Sequence, residues 1–156
     1  MTDRRYLTFD DVKVMTNKLC SQIADSNFHP DIIVGITRGG LLPAVMMSHF
    51  FKVPMTALQW NSRDHTDLGN ESCSWLPEDA LNGKNILIVD GIIDTGLTIT
   101  EIKEDWQKSV IGEIQWGVNV KVAALQKRFS CTTSIEYFVE NVADESRQVY
   151  PWEEWA

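Results

Sequence analysis

Apolar residues at Val12, Met15, Leu19 and Ile23 fall three to four positions apart, so they share one face of a helix. Thr8-Phe9-Asp10-Asp11 stands at its start, with Thr8 suited to cap the helix and two carboxylates suited to its positively polarised first turn. The pattern predicts a helix from about Phe9 to Asp25, closed by Ser26-Asn27 and Pro30. The period then changes. Asp31 to Ile36 is an apolar, β-branched run and reads as a buried strand, broken by Thr37-Arg38-Gly39-Gly40. Leu41 to Phe51 reads as a helix that tolerates Pro43 in its first turn, and Val53 to Trp60 as a second strand. Asn61 to Gly83 is polar and aperiodic and reads as a long mobile loop or irregular hairpin, a hood over a bound ligand. Asn85 to Val89 is the clearest strand of the chain. It ends in Asp90 to Thr98, and a helix follows to about Lys108. Lys121 to Leu125 and Ser134 to Val139 are two further strands.

Strands alternating with helices predict an α/β fold, a mostly parallel sheet flanked by helices on both faces. Ligands of such sheets gather at the carboxyl ends of the strands. The polar loops after Ile36 and after Val89 both lie at such ends.

Composition narrows the picture. The 156 residues, 44% apolar and 23% charged, fit a single domain over 1–156. A formal net charge of -8 argues against a nucleic-acid partner, yet backbone amides, helix ends and a bound metal can still hold phosphate. Cys20, Cys73 and Cys131 are odd in number and widely spaced, which disfavours a disulfide framework or a zinc knuckle. The N-terminus leads into no signal-peptide core. The most apolar run, Leu41 to Phe51, is too short for a bilayer, so a cytoplasmic protein with no membrane partner is expected.

Asp90 to Thr98 has the chemistry of a phosphate cradle. A buried strand delivers Asp90, Gly91 and Gly96 let the backbone turn and approach a ligand, Thr95 and Thr98 offer hydroxyls, and the helix that follows opens with unpaired amides. An ordinary strand-turn-helix capped by Thr98 is the competing reading. Neither a Walker ending nor a Gly-x-Gly-x-x-Gly fingerprint is present.

Ile86 to Thr98 resembles the phosphoribosyl-pyrophosphate motif of the type I phosphoribosyltransferases: four apolar residues, acids, further apolar residues and an Asp-Thr-Gly-x-Thr loop. The likeness is greatest to the family's bacterial 6-oxopurine (xanthine-guanine) branch. It extends to Ile36-Thr37-Arg38-Gly39-Gly40-Leu41-Leu42-Pro43, to Leu7-Thr8-Phe9-Asp10, and to Lys127 and Pro151-Trp152. The resemblance implies transfer of a phosphoribosyl group from 5-phosphoribosyl-1-pyrophosphate (PRPP) to a purine base such as guanine, xanthine or hypoxanthine. It also implies magnesium and a homo-oligomer, a dimer or a tetramer. By the same resemblance Asp94 is the general base. Thr95, Gly96, Leu97 and Thr98 hold the 5′-phosphate, and Thr37, Arg38, Gly39 and Gly40 hold the pyrophosphate, with a cis peptide before Arg38. Lys127, Arg147, Gln148, Tyr150 and Trp152 fall in a base-binding segment over 127–156. Asp90 and Glu153 are the metal-side acids.

The chain departs from the family at Gly91, where relatives carry a second acid, and near Arg147, where they stack an aromatic ring. An acid restored at 91 is expected to add a ribose and magnesium ligand, unless Gly91 sits at a φ that only glycine accepts. A non-catalytic module of this fold that senses PRPP or a nucleotide, or a transferase for another base, are the competing functions.

Overall fold

In the computed structural model, which describes residues 3–60 and 75–154, the predicted cap at Thr8 is present and forms a reciprocal capping box with Asp11. The Thr8 hydroxyl accepts from the Asp11 amide at 3.0 Å, and the Asp11 carboxylate accepts from the Thr8 amide at 2.8 Å. Two of the helix's unpaired backbone donors are thereby satisfied, and α1 runs over Phe9–Asp25 as its periodicity predicts. Then follow β2 (Ile32–Ile36), α2 (Leu41–Phe51), β3 (Met55–Leu58), α3 (Trp75–Leu81), β4 (Ile86–Ile93), α4 (Leu97–Lys108), β5 (Val120–Arg128) and β6 (Tyr137–Val142). Two short strands, β1 (Arg4–Tyr6) and β7 (Arg147–Val149), open and close the series.

The main sheet has the order β3-β2-β4-β5-β6, and every neighbouring pair in it is parallel. Alternate residues of its strands feed two cores. Val34, Ile88 and Val122 pack with Leu76 of α3 and Ile102 and Trp106 of α4 on one face. Ile33, Leu87 and Ala123 pack with Leu19 and Ile23 of α1 and Met47 of α2 on the other. The predicted α/β architecture is therefore present, with its helices divided between the two faces of a parallel sheet. No helix among the described residues is long and apolar enough to cross a membrane.

Several boundaries differ from those read in the sequence: the strand read at Val53 to Trp60 shortens to Met55–Leu58, and the one read at Ser134 to Val139 shifts to Tyr137–Val142. The strand predicted to end at Val89 continues to Ile93, because β5 supplies partners beyond it: Asp90 stands opposite Ala124, Ile92 opposite Gln126 and Ile93 opposite Lys127. β5 is longer for the same reason, so Lys127 lies inside the strand rather than after it. The stretch read as a loop from Asn61 to Gly83 contains α3. Leu76 and Ala80, four apart, bury one helical face, and Pro77 sits in the first turn, where its missing amide costs nothing. The rest of that predicted hood, residues 61–74, lies outside the described residues. β1 and β7 were not foreseen; they pair in parallel, Arg4 with Arg147 and Tyr6 with Val149, and fix the start of the C-terminal segment beside the main sheet.

Candidate active site

β2 and β4 are neighbours at the centre of the sheet, and their carboxyl ends open into a cavity of about 630 Å³. The loop after β2 forms one side of it. The Thr37–Arg38 peptide is cis, and the chain turns at once into α2, with the Gly40 amide donating to the Ile36 carbonyl at 2.9 Å. Gly40 is pressed so closely onto the sheet that a Cβ there would overlap the Val89 carbonyl oxygen. Thr37, Arg38 and Gly39 line the cavity, whereas Gly40 lies buried beneath it. The Thr37 hydroxyl accepts from the Trp60 amide at 3.2 Å, joining the ends of β2 and β3. Trp60, read from the sequence only as the end of a strand, is buried and lines the cavity. Its place at the carboxyl end of a predicted strand was the signal that could have found it.

The loop after β4 forms the floor. Asp90 is half-buried, and its carboxylate accepts from the Gly91 amide at 2.8 Å. Asp94, Thr95, Gly96, Leu97 and Thr98 all line the cavity. Gly96, at φ 92°, occupies the N-cap of α4 and brings no side chain to cap it. The Leu97 amide donates to the Thr95 hydroxyl at 3.3 Å, and the amide-rich start of α4 ends at the cavity, an arrangement suited to an anion. The segment after β5 braces this loop: the Thr133 hydroxyl donates to the Gly96 carbonyl at 3.3 Å, and the Thr132 amide to Thr95 at 3.4 Å.

Asp94 is held by a residue of the neighbouring strand that no sequence motif marked. Arg128, the last residue of β5, donates its Nε–H to the Asp94 carboxylate, and its Nη1 donates to the carbonyls of Ala143 at 2.8 Å and Ser146 at 2.6 Å. Their side chains are 16% and 21% exposed, so the pair is largely shielded from water.

Arg147, Trp152 and Glu153 of the C-terminal segment supply a further wall of the cavity. Three other predicted base contacts are corrected. Tyr150 is 2% exposed and donates its hydroxyl to Gln126 at 2.8 Å. Gln126 in turn donates to Gln148 at 2.9 Å and to Glu140 at 3.0 Å, so Gln148 is also spent in this buried network. Buried polar groups take such partners because a missing hydrogen bond is expensive. Burial, with the nearby carboxylates of Asp90, Glu153 and Glu140, pushes the Tyr150 hydroxyl well above the usual tyrosine range. Tyr150 supports the site from below instead, its ring stacked on Trp152 at 4.8 Å between centroids. Lys127 is not among the lining residues. Its ammonium lies 4.7 Å from the Phe138 ring centroid on β6, a cation–π contact with the neighbouring strand.

Gly91 does not lie in the left-handed region. A Cβ there would stand 3.0 Å from the Gly39 carbonyl oxygen and 3.6 Å from Tyr150, and Gly91 does not line the cavity. A side chain at 91 would therefore start against the Gly39 carbonyl and Tyr150. The position faces the underside of the Thr37–Gly40 loop. Gly91→Ala should cost about 1–3 kcal/mol through overpacking, read as a lowered midpoint in chemical denaturation. An unchanged midpoint would show that the loop yields freely.

A family profile described as the phosphoribosyl transferase domain matches residues 9–155. The chain is 27% identical over 130 residues to xanthine phosphoribosyltransferase 1 of Saccharomyces cerevisiae, covering 69% of this chain and 62% of that protein. It is 30% identical over 100 residues to a xanthine-guanine phosphoribosyltransferase of Chromohalobacter salexigens, covering 63% of this chain and 59% of that one. The alignments thus span about three fifths of these curated relatives. Among solved structures, a purine phosphoribosyltransferase from Pyrococcus horikoshii superposes with a TM-score of 0.74 at 28% identity, covering 99% of this chain and 96% of that one.

Proposed function

Because the chain belongs to the phosphoribosyltransferase family, we propose that it transfers the phosphoribosyl group of PRPP to a purine, with guanine, xanthine and hypoxanthine as the preferred bases. The observation that carries this reading is the convergence, in one cavity, of Thr37 to Gly39, Asp90 and Asp94 to Thr98 with the wall of Arg147, Trp152 and Glu153. Relatives named for xanthine and guanine support the choice of base.

In this reading the amides and hydroxyls of Thr95 to Thr98 take the 5′-phosphate, and Thr37 to Gly39 with Arg38 take the pyrophosphate. A purine ring nitrogen forms a bond to C1′ while the C1′–oxygen bond to pyrophosphate breaks and its electron pair leaves with pyrophosphate. The proton displaced from the purine passes to the Asp94 carboxylate. Positive charge builds on the ribose ring as the bond breaks, and Asp90 faces that region. Trp152 and Arg147 offer flat faces for the base, an indole and a guanidinium.

Magnesium belongs to the same proposal. Among the described residues no three His, Cys, Asp or Glu side chains cluster, so an all-protein metal cage is absent from them. Asp90 and Glu153 line the cavity as separate carboxylates, a donor set that fits a hydrated ion shared with substrate phosphates. Bound there, the ion would neutralise charge on the departing pyrophosphate.

A homo-oligomer is also proposed. Helix α2 has no Asp, Glu, Lys or Arg and exposes Leu42, Val45 and Phe50, a surface that a second copy would cover. The free thiols of Cys20 and Cys131 suit a reducing cytoplasm.

Incubation with PRPP, magnesium and a panel of guanine, xanthine, hypoxanthine, adenine, uracil and orotate tests the reading. Nucleoside monophosphates should form with the 6-oxopurines. Product with a pyrimidine alone would reassign the base, and no product with any base would leave a binding module.

A further inference from the structure

We propose that Arg128 is a positioning residue that sets the Asp94 carboxylate and the wall bearing Arg147, Trp152 and Glu153 in one frame, an inference that rests on the transferase reading above. The guanidinium stands between two segments that are distant in sequence. One edge binds Asp94 on the floor, and the other binds the carbonyls of Ala143 and Ser146. The Ala143 to Ser146 stretch leads directly into β7, whose first residue, Arg147, enters the cavity.

A guanidinium is planar and its donors are fixed relative to one another, so anchoring one edge on carbonyl oxygens fixes where the other edge meets a carboxylate. The distance between the proton acceptor and the seat of the base is therefore set through a single side chain. A solvated ion pair would have no such consequence, since it contributes little and holds no fixed geometry. Here both partners are mostly shielded, and three hydrogen bonds to Asp94, Ala143 and Ser146 converge on one group. Lysine at this position could pair with Asp94 but, with a single nitrogen, could not span the carboxylate and both carbonyls.

The test is a kinetic double-mutant cycle on the full chain with PRPP, magnesium and the 6-oxopurine that gives product. Arg128→Gln should lower kcat and raise the KM for the purine, together lowering kcat/KM for the base by about tenfold or more. The KM for PRPP should stay within about threefold, because the phosphate loops are anchored elsewhere. In an Asp94→Asn background, measured at single turnover, Arg128→Gln should lower kcat by less than about twofold, since its effect on the chemical step passes through Asp94. Arg128→Lys should restore most of kcat and little of the purine KM. Should Arg128→Gln fail to fold, the cycle is run with Arg128→Lys, and the purine KM is again expected to rise with the PRPP KM unmoved. Fully additive losses in kcat, or a lowered Tm with unaltered kinetic constants, would overturn the inference while leaving the transferase reading intact. A wild-type protein that makes no nucleotide ends both.

Discussion

Asp94→Asn should lower nucleotide formation by about 10²–10⁴-fold, the range for loss of a general base, while the KM for PRPP changes by less than about threefold. The amide keeps the shape of the side chain and cannot serve as the proton acceptor. The loop on which it stands is braced independently, with the Thr133 hydroxyl and Thr132 amide bonded to the carbonyls of Gly96 and Thr95. Phosphate binding should therefore survive. The substitution also removes the charge facing Arg128, which keeps its bonds to Ala143 and Ser146. The lost charged hydrogen bond should cost on the order of 1–3 kcal/mol, enough to lower Tm without unfolding the protein. Steady-state kinetics with a thermal melt separates the two effects. Equal activity in the variant would remove Asp94 from the chemistry.

Gly40→Ala should nearly abolish PRPP binding and destabilise the fold by about 3 kcal/mol or more, beyond the usual range for overpacking. Its Cβ would overlap the Val89 carbonyl oxygen and stand 2.8 Å from the Ile36 carbonyl oxygen and 2.9 Å from the Ile36 amide nitrogen. All three atoms are backbone of adjacent central strands, so no side-chain rotation can relieve the contact. The sheet must spread or the Thr37–Gly40 loop must lift away from it. Either movement takes that loop, proposed to hold the pyrophosphate, out of register with Asp90, which a Cβ on Gly39 would already meet at 3.6 Å. Titration calorimetry with PRPP and magnesium checks the binding, and denaturant unfolding checks the stability. Wild-type affinity in Gly40→Ala would mean that the loop does not hold the pyrophosphate.

Features carried by local chemistry were legible in the sequence. The α1 cap at Thr8 and the loops after β2 and β4 are short contiguous patterns, and the β-branched runs of β2 and β4 mark buried parallel strands. Features created by the partner strand were not. The sequence reads β4 as ending at Val89, but β5 supplies partners to Asp90, Ile92 and Ile93 and carries the strand to Ile93. The α3 turns were hidden because Leu76 and Ala80 supply only a short apolar face within a polar stretch. Three-residue strands such as β1 and β7 have no period to read.

The candidate site divides in the same way. Arg147, Trp152 and Glu153, marked by the family resemblance, line the cavity. Their neighbours Gln148 and Tyr150, marked by the same resemblance, point into the network around Gln126, a residue in β5 that no local pattern links to them. Arg128 was missed because its partner Asp94 is 34 positions away, and only the pairing of β4 with β5 brings them together.

Single turnover with protein in excess over labelled PRPP, in the presence of magnesium and a 6-oxopurine, tests the central claim most directly. The account predicts that the label passes into nucleoside monophosphate, with one pyrophosphate released for each nucleotide formed. Recovery of the PRPP bound but intact in the presence of every base would contradict it, and the cavity would then belong to a protein that binds the sugar pyrophosphate without transferring it.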